Sequence, residues 1–534
     1  VFRSQDRGTS WERISPDLTR QISRDELPLQ GKVQPADAID LHASTAMYGN
    51  THSLAVSPRK RGLIAAGTDD GLIQVSRNDG RSWQRSDSFP GVPDMMKVAM
   101  VTWSPSAEGT LFAVFDGHKD NDFKPYVVRS DDYGVSWKNI TANLPETGST
   151  RSVTVHPRNG ELIFVGTDFG VYASRDGGGH WMSLGSGLPT NSVQGVVVHP
   201  RENDLVIGTH GRGFWVLDEL SLLETLTPEI IAGHSYLAPP RPATQIRDLN
   251  RGRKSFGHSY WTAPNPPRGA ILDYWIGDSA VEQPVTVEVL DRRGEVLHRI
   301  AESVAERGAH RVVWDLRYEA PPSDSASSWR KPLGRFVLPG DYKVRLTVGD
   351  QTHTQSLRVR KDPALSVSTR ELRDRERTLA LQAQLLTAAY HVGKAVDAGA
   401  EQIQALREEL KAGSGGPALL ARAQEAADNI QGLHIALRGE ELGTAQQETS
   451  LPLADLSLRL YRSTESWSSA PSPEQRRLTQ SVHRDLSQLL TELQPLLDDV
   501  LPALRASATQ AGVTWPADAL PGPLPENLIP PYRD

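Results

Sequence analysis

One pattern recurs along this chain and limits what it can fold into: Ser-x-Asp/Asn-x-Gly-x-x-Trp. The copies are Ser4, Asp6, Gly8 and Trp11; Ser76, Asn78, Gly80 and Trp83; Ser130, Asp132, Gly134 and Trp137; and Ser174, Asp176, Gly178 and Trp181. Each residue type suits a tight hairpin. The hydroxyl and the carboxylate or amide oxygen accept backbone N–H groups, glycine supplies a positive φ, and Trp lays a large apolar face under the turn.

Strand signals precede the turn in a fixed order. Residues 152–157, 162–167 and 171–174 read as successive short strands, and residues 53–76 repeat the order. A last copy runs through 196–200 and 208–211 to 214–217 and ends before a fourth strand or another turn motif. Four short strands per unit of roughly 40–50 residues is the signature of a β-propeller blade. A run of separate hairpins is the bland alternative. Two ring arrangements are open: earlier blades precede Val1, or residues 1–15 dock on the last unit and close four blades. The first is preferred, because both segments offer a third strand.

The length, 534 residues, calls for several domains. A net charge of −7 without a Lys/Arg block argues against nucleic acid and anionic membrane as partners. No apolar run reaches the roughly 20 residues of a membrane span. The absence of cysteine excludes disulfides, thiolate nucleophiles and Cys-ligated zinc. The chain opens on Val1 in strand-like sequence, which is read as a fragment or processed product with its signal peptide upstream.

The repeat resembles the Asp-box, or bacterial neuraminidase repeat, superfamily, which includes sialidases, xyloglucan-cleaving glycosidases and sortilin receptors. Nearly the whole chain is similar to large bacterial sortilin-like repeat proteins commonly labelled "glycosyl hydrolase". The matching stretches are Gly67-Thr68-Asp69-Asp70-Gly71, Phe115-Asp116-Gly117-His118, Phe123-Lys124-Pro125-Tyr126, Gly208-Thr209-His210-Gly211-Arg212-Gly213 and Asn265-Pro266-Pro267-Arg268-Gly269-Ala270. The resemblance implies a secreted or periplasmic bacterial protein. The chain departs from animal sortilins in lacking a Cys-rich module, and from sialidases in offering no recognisable arginine triad.

Strands alternate direction within a blade, so turns alternate faces. The repeated turn joins strands three and four, which puts the strand two to three turns on the opposite face; in sialidases, the resemblance implies, that face holds the substrate. Asp6, Asp132 and Asp176 are therefore read as structural. The candidates become Asp69, Asp70 and Asp168 as catalytic carboxylates, with His210, Arg212, Asp116 and His118 as ligand-binding groups. A turn-forming role is the competing reading for Asp69 and Asp168, and capping or an ion pair for His210 and Arg212. Asp116, Asp120 and Asp122 fall at alternate positions of an acidic insertion that could suit Ca²⁺, although the distal Glu of an EF-hand is missing and a solvated loop is preferred. No other metal or cofactor motif occurs. Glycoside hydrolysis needs two carboxylates about 5–9.5 Å apart, which Asp69 or Asp70 with Asp168 could supply. No Gly-x-Ser-x-Gly elbow or His-Glu-x-x-His motif is present.

The expected organisation is multidomain and mainly β: propeller blades over 1–218, a Pro/Gly-rich connector over 219–268, and an Ig- or fibronectin-like β-sandwich over 269–361. A helical bundle over 366–510 and a Pro-rich tail over 511–534 follow. Ser368 with Glu371 fits a capping box at the start of the helices, Gly413-Ser414-Gly415-Gly416 breaks them, and Ser472-Pro473-Glu474 restarts them. Packing within the chain is preferred over an oligomerising coiled coil for their interrupted apolar stripes; the oligomeric state stays open. The functional expectation is a binding propeller for a peptide or glycan. A glycosidase on the same face is the rival, and a structural subunit of a cell-envelope assembly the third reading.

Overall fold

A strand that is apolar at consecutive positions is stable only when both of its faces are covered. The second strand of each complete repeat is of this kind, and Ile64–Thr68, Leu111–Asp116 and Ile163–Thr167 are buried along their whole length. A computed structural model of the chain describes residues 1–29, 31–39, 49–185, 187–246, 263–323, 331–411, 416–439, 451–515 and 520–532 apart from 523 and 526. Residues 247–262 of the expected connector, and the break at Gly413 to Gly415, lie outside the described residues.

Three four-stranded antiparallel sheets follow one another in chain order. The first blade is Thr51–Val56, Ile64–Thr68, Ile73–Ser76 and Gln84–Ser86; the second is Lys97–Trp103, Leu111–Asp116, Tyr126–Ser130 and Lys138–Asn139; the third is Thr150–Val155, Ile163–Thr167, Gly170–Ser174 and Met182–Ser183. The last blade has three strands, Val193–Val198, Leu205–Thr209 and Phe214–Leu217. Ahead of them Phe2–Arg3 pairs with Glu12–Arg13 in a two-stranded hairpin.

Each core is shared by neighbouring blades, as in a propeller. Ile73 and Val75 pack with Val98, Val101 and Trp103. Phe112 and Val114 pack with Val153 and Val155, and Phe164 and Val171 with Val193 and Val196. Gly67 and Gly166 allow such close approach, since a Cβ there would stand 2.5 Å from the Val98 side chain and 2.7 Å from the Val193 side chain, respectively. The hairpin at residues 1–15 does not dock on the last blade. It packs on the first, where Ile14 covers Gly80 and the Gln74 side chain donates to Leu18 O at 2.7 Å.

Two compact units divide the chain: residues 1–241 with 273–281 and 306–311, and residues 242–272, 282–305 and 312–534. The second holds a five-stranded sheet in the order Ala243–Gln245, Gln351–Lys361, Gly340–Val348, Pro284–Leu290, Val296–Val304. The strand Pro284–Leu290 carries buried Glu288, which lies opposite Arg299 on one neighbour and Arg345 on the other. Both guanidiniums donate to that carboxylate, at 3.1 and 2.6 Å, and hold its pKa down against the burial that pushes it up.

The same unit contains the helices Thr369–Lys411, Gly416–Arg438, Leu453–Glu465 and Pro473–Pro495, followed by a π-helical turn Leu496–Val500 and Leu501–Gln510. Ser472 and Gln475 close a capping box at the start of Pro473–Pro495. Proline cannot donate to the i−4 carbonyl, and the π turn follows directly on Pro495. Helices and sheet are tied by Arg317 to Glu465 at 2.8 Å and by the Tyr461 hydroxyl donating to Leu333 O at 2.6 Å. Among the described residues no helix is long and apolar enough to cross a membrane.

Candidate functional site

The repeated turns are built from their own side chains. In all four, the Ser Oγ accepts the Gly N–H at 2.7–2.8 Å. The Asp or Asn Oδ1 accepts the N–H four residues on, at 2.8–2.9 Å. Every glycine has φ between 83 and 99°. The carboxyls are held down by these bonds: that of Asp132, bonded to the Ser136 hydroxyl and backbone, falls to about 2. The Trp residues differ. Trp181 is buried at 6% exposure, whereas Trp11, whose Nε1 donates to Gly8 O at 3.2 Å, is 64% exposed, so in the first copy the ring lies against the turn with its outer side open to solvent.

On the other face, a one-residue shift recurs in the inner strand. It falls between Thr51 and Ser53, between Thr150 and Ser152, and between Val193 and Gly195, leaving His52, Arg151 and Gln194 as the extra residues. A bulge bends the strand and re-aims the unpaired residue. Arg151 uses this position to bridge two blades. Its guanidinium pairs with Asp116 of the second blade and with Asp168 of its own at 2.8 Å. Burial pulls the proton affinity of Arg151 down, but the bonds to Asp168 and Asp116 more than reverse that and raise its pKa.

The cluster continues on both sides. His118 Nδ1 lies 2.7 Å from Asp116 Oδ1. The Ser192 hydroxyl donates to Asp168 Oδ1 at 3.0 Å and accepts from Gln194 Nε2 at 2.8 Å. The backbone N–H of His210 in turn donates to Ser192 O at 2.8 Å. Lys97 stands beside Asp116 and is half-buried; burial lowers its pKa, with Asp116 opposing and Lys119 and Arg151 adding to the shift. Among the described residues its ammonium forms no ion pair. The excess carboxylate of the bridge acts on Lys97 at longer range, and the Lys97 ammonium can still donate to a ligand anion.

The sequence-derived candidates divide. Asp116, His118 and Asp168 belong to this cluster. Asp69, Asp168 and His210 occupy one turn position, since their N–H groups donate to Asn50, Ser149 and Ser192 O respectively. Asp69 is spent on its own blade, accepting the Asn50 backbone and side chain at 2.9 Å. Asp70 is fully buried; it accepts the Thr68 hydroxyl and, at 2.6 Å, the Arg20 N–H. His210 and Arg212 are exposed at the tip of the last blade.

The Ca²⁺ reading fails on the chemistry of its donors. Asp116 is paired with Arg151, Asp122 accepts from the Tyr126 hydroxyl at 2.7 Å, and no three candidate ligands stand together among the described residues. Arg151, Lys97 and Ser192 escaped sequence reasoning. Lys97 and Arg151 lie on inner strands and Ser192 just before one, in no motif, and a bulge has no signature in residue order.

No family model and no curated protein matches the chain. Among solved structures it is similar to YCF48 from Cyanidioschyzon merolae, at 18% identity over 31% of this chain and 52% of that one, with a TM-score of 0.25. A YCF48 bound to D1 peptide matches at 14% identity over 32% and 51%, TM-score 0.25. A GH74 xyloglucanase from Xanthomonas campestris matches at 12% identity over 57% and 38%, TM-score 0.25. The chain thus spans about half the length of the YCF48 structures it matches.

Proposed function

We propose that the blades form a binding module whose ligand, a peptide or glycan bearing a carboxylate, is received on the face of the strand two to three turns. One observation carries this reading: Lys97 is half-buried and, among the described residues, forms no ion pair beside the Asp116–Arg151–Asp168 bridge. The bridge holds two carboxylates to one guanidinium, so Lys97 brings the cluster to formal neutrality, and its ammonium, which forms no ion pair among the described residues, is the group left to meet a ligand anion. A ligand carboxylate there would accept from Lys97. In this reading the chain is a sortilin-like Asp-box protein, secreted or periplasmic, and the five-stranded sheet is an Ig-like accessory module.

Binding is favoured over glycoside cleavage because Asp69, Asp70 and Asp168 each spend their oxygens on neighbouring donors. The test is a peptide array and an acidic-glycan array probed with the chain and with Lys97→Gln. A ligand should lose about 10–100-fold in affinity on that change, the worth of a charged hydrogen bond. Ligands indifferent to Lys97→Gln would sink the site. Glycoside turnover that Asp168→Asn abolishes would replace binding with catalysis.

A further inference from the structure

Equivalent positions in the blades differ in burial, and the differences are confined to the two ends of the stack. Strand register aligns Leu54 with Val101, Val153 and Val196, and Val56 with Trp103, Val155 and Val198. The three counterparts of Leu54 are at most 2% exposed and those of Val56 at most 6%, yet Leu54 is 51% and Val56 64% exposed. At the other end, Phe214 aligns with Ile73, Val127 and Val171. Those three are fully buried, while Phe214 is 82% exposed and Val216 beside it 53%.

The hairpin Phe2–Arg3 with Glu12–Arg13 explains half of the first gap. Ile14 donates to Val1 O as Ile140 donates to Val127 O, and Ile14 covers Gly80 as Ile140 covers Gly178. The hairpin is therefore placed on the first blade as the outer half of the second blade is placed on the third. What would cover Leu54 and Val56 is the inner half of that same blade. Phe2, aligned with fully buried Val128, is itself 62% exposed.

We propose that both end faces are docking surfaces for further blades of the same repeat, which close the arc. At the first face the occupant is an inner pair of strands that adds to the edge of Phe2–Arg3, with a second strand apolar on both sides like Leu111–Asp116. At the last face it is a blade that seats on Phe214 and Val216. The argument is continuity with an interface the molecule forms three times over between its own blades. A second copy of this chain is a poor fit: its last blade, seated on Leu54, would need the place that Ile14 and its hairpin already hold.

The chain has no cysteine, so single substitutions report cleanly. Leu54→Cys and Phe214→Cys, with Val153→Cys as the buried control, are labelled with a maleimide in the isolated 534-residue chain and in the product of the intact gene. Both end positions should react freely in the isolated chain and slow by about 100-fold or more in the intact product, as a covered site opening only by local unfolding would. Fast labelling in both samples overturns the proposal. So does a self-associating isolated chain, seen by sedimentation, in which the thiols introduced in place of Leu54 and Phe214 protect and cross-link one another between copies.

Discussion

Asp132 shows how much of the repeat rests on single atoms. Its carboxylate bonds Ser130, Ser136 and two backbone N–H groups, and its pKa falls from 3.8 to about 2. A carboxyl lowered on folding contributes stability that is complete above about pH 4 and is lost as the pH falls towards 2. Asn78 makes the corresponding Oδ1 bond to Ser82 N at 2.9 Å without a charge. Asp132→Asn should therefore fold, melt slightly below the parent at neutral pH, and approach it as the pH falls from about 4 towards 2, where the folded parent carboxyl protonates. Thermal melts across that range decide the matter; a gap independent of pH would show that the charge contributes nothing.

At the scale of the element, the glycine of the repeated turn has two separable tasks. Gly178 has φ +99°, and a Cβ on it would stand 2.7 Å from Ile140 of the second blade. Gly8 has φ +92° but would meet only Trp11, at 3.9 Å. Gly8→Ala should cost the backbone strain alone, about 1 kcal/mol, and Gly178→Ala that strain plus about 1–3 kcal/mol of overpacking. Denaturant titration of the two variants separates the terms. Equal costs would mean that the blade interface yields and that turn strain dominates both sites. The inner-strand bulge is the other element-level device, since it turns Arg151 from a ladder residue into a bridge between blades.

For the molecule as a whole, that bridge is a structural tie as well as part of the proposed site. The Asp116 side chain is only 1% exposed, so Arg151→Ala would strand a buried carboxylate. The expected loss is about 3 kcal/mol, measured as the denaturant midpoint of the chain at constant slope. Arg151→Lys should recover part of it, because one ammonium cannot serve both Asp116 and Asp168 in the planar way a guanidinium does. A loss below about 0.5 kcal/mol for Arg151→Ala would mean that solvent screens the pair. Lys97 behaves differently, since its ammonium forms no ion pair among the described residues and both carboxylates of the bridge keep Arg151, so Lys97→Gln tests binding with a smaller change in stability than Arg151→Ala.

The repeated turn, the order of strands in each blade and the change to helices beyond Ser368 follow from residue order, because turn chemistry and apolar periodicity are local properties. The helix start at Thr369, after Ser368, and the capping box at Ser472 were legible for the same reason. Part of the candidate cluster was legible too: Asp116, His118 and Asp168 stand out as polar residues in turns on one face. What residue order could not supply is pairing at a distance. A bulge is a relation between two strands, and Arg151 meets Asp116 across 35 residues of sequence. The spending of Asp69 and Asp70 on Asn50 and Arg20, and the exposure of Leu54 and Phe214, depend on which blade lies next to which. Only the packed structure decides that, because burial and ion pairing are properties of neighbours in space.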